Sequence, residues 1–367
     1  MPFDDFDFPT GARRVPCSYR RNSRWVASWL FVVAGFTFVM IVLGGATRLT
    51  GSGLSIMEWA PLSGALPPLS HAEWERLFGL YKQIPQYSLL HTDMDLAGFQ
   101  RIFWLEWTHR LWGRLIGIVF LVPLIAFVVR GMIPRRLIPR LALLFVLGGL
   151  QGAVGWFMVA SGFFPDSTAV SPYRLVVHLV LALALYAVMI WIALSLWRRT
   201  VPRGDPPTRP LARRMAAAVV GCVVLTIVAG GFTAGLHAGL TYNTFPLMDG
   251  SLVPAGYAPL EPPWRSFFED VATVQFDHRL LATLTAALTL AAVAIGLASG
   301  VRGTVRRAFL ALGAVVLVQY MLGVATLLNV VPVGLAVAHQ ATAVLLLTAA
   351  LVACHATRRA PAHPELP

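Results

Sequence analysis

Eight apolar runs, each long enough to cross a bilayer, dictate what this chain can fold into. They fall at roughly 25–46, 111–130, 139–160, 174–197, 213–234, 278–299, 305–328 and 333–355 of its 367 residues. A hydrocarbon core of about 30 Å takes about 20 helical residues to cross. In lipid every backbone N–H and C=O must find its partner inside the chain, so such runs fold as helices. With 57% hydrophobic residues, only 13% charged and a mean hydropathy of +0.69, the chain is too apolar for a soluble globular protein. The fold class is all-α integral membrane, with eight transmembrane helices.

The net charge of +12 raises the question of nucleic acid, and the placement of the charge answers it. With the N-terminus inside, one face collects Arg13, Arg14, Arg20, Arg21 and Arg24, then Arg130, Arg135, Arg136 and Arg140. It goes on to collect Arg198, Arg199, Arg203, Arg209, Arg213 and Arg214, then Arg302, Arg306 and Arg307, and last Arg358 and Arg359. That asymmetry sets membrane orientation; both termini are expected in the cytoplasm, and nucleic acid is not an expected partner. The N-terminal stretch "MPFDDFDFPTG" is acidic and has neither a cleaved signal pattern nor the Arg-rich character of a transit peptide, so a bacterial inner membrane is expected. Cys17, Cys222 and Cys354 form no disulfide framework, and the two in helices read as small buried apolar residues.

The chain uses one unit twice. "VLGGATRLTGSGLS" (42–55) is echoed by "VAGGFTAGLHAGLT" (228–241), "EWTHRL" by "QFDHRL", and "LQGAVG" (150–155) by "VQYMLG" (318–323). Finally, "RLVVHLV" places His178 where "LAVAHQA" has His339. Two tandem four-helix bundles are expected, residues 1–205 and 206–367, meeting in the linker "RRTVPRGDPPTRP" (198–210). An even number of helices per unit returns the chain to its starting side, so the halves relate by a pseudo-twofold axis near the membrane normal. Two outer loops are long, about 46–108 and 235–275. In the first, Ser70 with Glu73 is a capping box, and Trp74, Leu77, Phe78 and Tyr81 follow helical spacing; a surface amphipathic helix or a lid over a site fits it.

Four histidines fall within the apolar runs. His109 and His278 are expected at the outer mouths of the second and sixth helices, and His178 and His339 about a turn and a half into the fourth and eighth. His71, His91, His237, His355 and His363 lie in loops or at ends and are given no role. An ionisable group in lipid is costly and usually marks a site, and two imidazoles recurring at matched places in two bundles suit a haem, whose iron takes axial ligands from opposite sides. Zinc fits less well, because no third or fourth ligand stands near either pair. Arg110 and Arg279, each directly after a histidine, suit propionates through the guanidinium fork; snorkelling at the interface is the alternative. Arg48 and Arg114 have no counterpart in the repeat and read as structural. Gln151 and Gln319 read either as partners of the histidines or as helix-to-helix hydrogen bonds.

One difference separates the halves. Glu106 stands three residues before His109, on its face of the helix, whereas Gln275 holds that place before His278 and Asp277 points elsewhere. A carboxylate beside a haem edge can move protons or stabilise a cation; a surface carboxylate favoured by the helix dipole is the plainer reading.

The eight helices in two related halves, "GGATRLTGSGLS", "EWTHR", "FDHR" and the paired histidines together resemble haem A synthase, over nearly the whole chain. The resemblance implies an oxidoreductase that converts the C8 methyl of haem O to a formyl group, giving haem A for cytochrome oxidase. It implies a catalytic glutamate at Glu106, the substrate haem at His109 and His178 in the first half, and a cofactor haem b at His278 and His339 in the second. It further implies haem sites toward the periplasmic side and association with haem O synthase and with cytochrome oxidase assembly; lipid is the surrounding partner, and a homo-oligomer is left open. Some family members have a cysteine pair in the outer loops; residues 46–108 and 235–275 contain none, so the chain looks like the cysteine-free subtype. From the residues alone, a dihaem b-type electron-transfer cytochrome and a haem transporter or chaperone stand as alternatives.

Overall fold

Caps, rather than the ends of the apolar runs, set where the helices begin. The computed structural model describes residues 17–165, 167–198 and 210–358. "MPFDDFDFPTG", Arg13, Arg14, Arg199, Arg203, Arg209, Arg359, His363 and most of the linker with the boundary at 205–206 lie outside the described residues, as do the side chains of Cys17 and Arg20. Among the described residues, eight helices are long and apolar enough to cross a membrane. They are span 1, Cys17–Leu49; span 2, Leu96–Val129; span 3, Ile138–Val159; span 4, Pro172–Arg198; span 5, Pro210–Gly235; span 6, Val271–Ala298; span 7, Gly303–Leu328; and span 8, Val333–Ala356.

Spans 2 and 6 begin well before the apolar runs that announced them. Asp95 caps span 2 by accepting from the Gly98 N–H, and Asp270 caps span 6 by accepting from Thr273. His109 and His278 therefore sit inside their helices, not at the mouths, which corrects the expectation from hydropathy. The shared depth survives this correction. Counted from the Arg-rich ends at Val129, Arg198, Ala298 and Ala356, the four histidines stand at about 25–30 Å for a rise of 1.5 Å per residue.

Span 1 packs on spans 2 and 4, span 2 on span 3, and span 3 on span 4; spans 5, 6, 7 and 8 repeat that ring. Spans 1, 4, 5 and 8 join the rings through the contacts 1–8, 4–5 and 4–8. The apolar core lies toward the Arg-rich ends, where Leu30, Leu124, Leu141, Ala193, Val219, Leu312 and Leu347 are all buried. Near those ends Tyr186 bonds Thr348 at 2.7 Å, and His355, buried in the last turn of span 8, meets Ser195 at 3.1 Å across the rings.

In the outer lobe the expected helix runs His71–Tyr81, with the Ser70 hydroxyl accepting from Glu73 N. Only half of the capping box forms, because the Glu73 carboxylate turns to Arg76, which also takes Glu58 in a fork at 2.8 and 2.9 Å. Arg76 holds the Glu58 and Glu73 carboxyls below the usual range. Leu77, Phe78 and Tyr81 pack on Phe99 and Phe103 of the extended span 2, so the helix docks on protein and does not float on the membrane surface. Burial raises the Tyr81 phenol, and its hydroxyl bonds His91 Nδ1 at 2.6 Å.

A further contact joins the rings nearer the histidines. Gln340 of span 8 donates from Nε2 to Ile41 O of span 1 at 2.8 Å, and the close approach is open only because residue 45 is glycine: a Cβ there would lie 2.1 Å from Gln340 Oε1. Gly45→Ala should lower stability by about 1–3 kcal/mol through overpacking, and Gln340→Ala in that background should recover part of the loss. Unfolding midpoints of the four combinations in detergent read this out; equal loss in single and double variants would remove Gln340 as the cause.

Candidate functional site

Each of the four histidines lies against a glycine on the preceding span. A Cβ at Gly44 would stand 3.1 Å from His109, at Gly155 2.8 Å from His178, at Gly230 3.0 Å from His278 and at Gly323 2.9 Å from His339. At Gly155 and Gly323 a side chain would force the imidazole to shift, and at Gly44 and Gly230 it would crowd it, so the four glycines set how closely the helices pass the four imidazoles. The pairing holds the repeat's symmetry, since Gly44 aligns with Gly230 and Gly155 with Gly323. Sequence reasoning placed these glycines in the repeat but gave them no role; the signal was their recurrence at aligned places in the two halves.

Within each half the two imidazoles come into electrostatic reach of one another, His109 with His178 and His278 with His339. Gln151 Nε2 donates to His178 O at 2.9 Å and lies 3.1 Å from its Nδ1, while Gln319 Nε2 stands 3.5 Å from His339 Nε2. The two glutamines thus face the histidines of spans 4 and 8. His278 and His339 each bury an Nδ1 that meets no hydrogen-bond partner at good geometry, and such an atom calls for an explanation such as a bound group, a water or an ion. No cluster of three or more His, Cys, Asp or Glu able to hold a metal ion occurs among the described residues; each half offers two imidazoles. Such a donor set, on facing helices of a bundle, fits a haem iron bound from two sides.

Glu106 is 2% exposed, which sets aside the surface reading. Its Oε1 accepts from Arg110 Nη2 at 2.6 Å and Nε at 3.0 Å; its Oε2 accepts from Ser55 Oγ at 2.7 Å and Ile56 N at 2.9 Å. Arg110 also donates to Ile56 O and Glu58 O, so the guanidinium expected to meet propionates is used in pinning the first outer loop to span 2. In the second half Arg279 donates to Thr244 O at 3.0 Å, Pro246 O at 2.8 Å and Leu247 O. Thr244 is Glu58's counterpart when the repeat is extended, so the loop tie recurs. Arg279 has no carboxylate partner, and its Nη1 is buried without a bond. Gln275 donates to Tyr242 O at 3.2 Å, where Glu106 accepts from the aligned Ile56 N. Asp277 turns outward to Tyr257 at 3.0 Å, and Arg114 binds the carbonyls of Ala60 and Pro61. A cavity lined by Thr50, His91, Asp93, Asp95 and Arg101 lies in the outer lobe and includes none of the four histidines.

Residues 27–351 match the family described as "Cytochrome oxidase assembly protein". The chain is 62% identical over 341 residues to "Heme A synthase" of Granulibacter bethesdensis, covering 93% of this chain and 89% of that protein. It is 47% identical over 356 residues to "Heme A synthase 2" of Acidiphilium cryptum, covering 96% and 97%, and 48% identical over 334 residues to "Heme A synthase" of Azorhizobium caulinodans, covering 90% and 94%.

Removing the buried carboxylate leaves Arg110 with its charge uncompensated, and breaking such a pair costs about 3 kcal/mol. Gln275→Ala loses one neutral hydrogen bond, about 1 kcal/mol. Glu106→Ala should therefore lower the unfolding midpoint clearly more than Gln275→Ala; equal shifts would show that the Glu106 network contributes no more than its neutral counterpart.

Proposed function

The chain belongs to the cytochrome oxidase assembly family that includes the haem A synthases, and from that premise we propose that it makes haem A by oxidising the C8 methyl of haem O to a formyl group. As a haem A synthase it is a multi-pass membrane oxidoreductase. The observation that carries the finer reading is the matched set of glycine-seated histidine pairs, one per half, with a buried carboxylate beside only one of them. We assign residues 1–205 to the substrate, with His109 and His178 as its iron ligands, and residues 206–367 to haem b, with His278 and His339 as its ligands. The orphaned Nδ1 atoms, the glycine seats and the free Arg279 Nη1, a donor fit for a propionate, support a haem in the second half. Haem b supplies one-electron redox chemistry when bound.

The first-half residues position the substrate and handle its protons. Gly44 and Gly155 admit the two imidazoles, and Gln151 orients His178 through the ring and the main chain. Glu106 moves protons or stabilises a cationic stage beside the substrate methyl, with its Oε1 held by Arg110 and its Oε2 by Ser55 Oγ at 2.7 Å. Oxidation of the methyl through a hydroxymethyl stage to the formyl group takes two electrons and two protons from the substrate in each step and adds one oxygen at the level of water in the first, the electrons leaving to an external acceptor. A dihaem electron-transfer cytochrome would give the two halves the same work, and the unmatched Glu106 network speaks against it, as it does against a passive haem carrier.

By the charge asymmetry the Arg-rich ends face the cytoplasm of a bacterial inner membrane, with the haem sites toward the periplasm. Haem O synthase would hand over the poorly soluble substrate, and cytochrome oxidase assembly would receive the product.

Protein purified from cells that make haem O should yield haem B together with haem O or haem A on chromatography with mass detection. Glu106→Gln should lose haem A while keeping haem B, and His278→Ala or His339→Ala should lose haem B. Haem B alone in both wild type and Glu106→Gln would point to a plain cytochrome instead.

A further inference from the structure

Between Trp59 and Leu69 the first outer loop reads "WAPLSGALPPL", eleven residues without a charge. Leu62 is 87% exposed, Leu66 73% and Leu69 84%. Soluble surfaces rarely carry so concentrated an apolar patch, and burying each leucine is worth about 1.5–3 kcal/mol.

Two marks give the depth of this segment. Arg114 donates to Pro61 O at 2.9 Å and Ala60 O at 2.7 Å, and its Cα stands roughly 22 Å from the Arg-rich end of span 2, about 7 Å deeper than that of His109. Trp59 stacks on Trp156 of span 3 with ring centroids 6.1 Å apart, and Trp156 stands roughly 27 Å from the Arg-rich end of its helix. Against a hydrocarbon core of about 30 Å, both marks set the segment at the outer edge of the hydrocarbon. The close approach depends on Gly64, where a Cβ would meet Arg114 Nη2 at 3.0 Å. The segment rests on spans 2 and 3, the two least buried within the protein, and so on the lipid side. In the second half Thr283 takes the place of Arg114 and bonds Tyr320 instead of the loop, and the matching loop carries Asp249.

We propose that residues 59–69 form a flap seated in the outer leaflet against spans 2 and 3, and that Leu62 and Leu66 contact the isoprenoid tail of the substrate as it reaches the first-half site from the membrane. The second part rests on the haem A synthase reading. Arg110 holds the root of the flap and also lies over Trp156, 5.5 Å from the ring centroid, next to Gly155 and therefore to His178. The flap, the ion pair and the substrate histidines form one continuous wall. A site that must admit a tailed substrate needs such an apolar wall, whereas a site for a resident haem does not.

In a background with Cys17, Cys222 and Cys354 replaced by serine, a nitroxide at Leu62→Cys is examined in phosphatidylethanolamine/phosphatidylglycerol vesicles. It should collide with oxygen more than with a water-soluble nickel chelate, like a label at Leu150 on span 3 and unlike one at Leu90 in the outer lobe. A label at Leu62 that behaves like the one at Leu90 overturns the flap. Leu62→Asp with Leu66→Asp should raise KM for haem O about tenfold, equivalent to 1.4 kcal/mol, with kcat kept within about twofold. The spectrum of the second-half haem should be unchanged, and Leu62→Met with Leu66→Met should restore KM. An unchanged KM beside a lipid-embedded label overturns the tail contact. Wild-type protein that makes no haem A, with the Leu62 label still in lipid, overturns the enzyme reading and the tail contact together and leaves the flap standing.

Discussion

An imidazole can pass into the middle of a helical bundle only where the facing helix withdraws its side chains, and here four glycines do so at one depth. The seats at Gly44, Gly155, Gly230 and Gly323 fix the distance between spans 1 and 2, 3 and 4, 5 and 6, and 7 and 8 in their outer parts. The apolar core lies away from these seats, toward the Arg-rich ends. Stability and chemistry are thereby separated along the membrane normal: large aliphatic side chains hold the helices at one end and leave the other to the histidines.

The unequal halves follow from how each loop root is held. Both halves use an arginine one residue after the histidine to gather loop carbonyls, Arg110 for Ile56 and Glu58 and Arg279 for Thr244, Pro246 and Leu247. At the aligned loop positions the first half presents a peptide N–H to an acceptor, Glu106, and the second presents a peptide C=O to a donor, Gln275. A carboxylate cannot donate to a carbonyl, so a glutamate at 275 would lose the bond to Tyr242 O, whereas an amide at 106 could still accept from Ile56 N. The difference between the halves therefore lies chiefly in the charge that the first loop root holds.

Much of this was legible in the sequence, for identifiable reasons. Span number and the four histidines came from hydropathy and from the repeat, because lipid tolerates few charges and the duplicated landmarks keep their spacing. The starts of spans 2 and 6 were not legible from hydropathy, since residues 96–110 are rich in polar and aromatic groups and only Asp95 and Asp270 mark the caps. Glu106 was expected to face His109, and the structure adds that its Oε2 is engaged by Ser55 and Ile56, some fifty residues away, which no local pattern encodes. Arg110 was paired in expectation with a ligand group because sequence shows a charge but not the loop carbonyls that fold back upon it.

The junction between the halves carries the same duplicated geometry with a different chemistry on each side. Gly45 faces Gln340, the residue after His339, and its counterpart Gly231 faces Val176 and Leu179, the latter being the residue after His178. Span 1 therefore meets span 8, and span 5 meets span 4, through matched glycines. Only the first contact is a hydrogen bond, Gln340 to Ile41 O; the second is apolar. A directional bond fixes the rotation of span 8, and with it the ring of His339, relative to the helix that seats His109. The junction is polar again near the Arg-rich ends, where span 4 is tied to span 8 through Tyr186 with Thr348 and Ser195 with His355, so the two halves differ at the outer glycine contacts and share one seam at the other end.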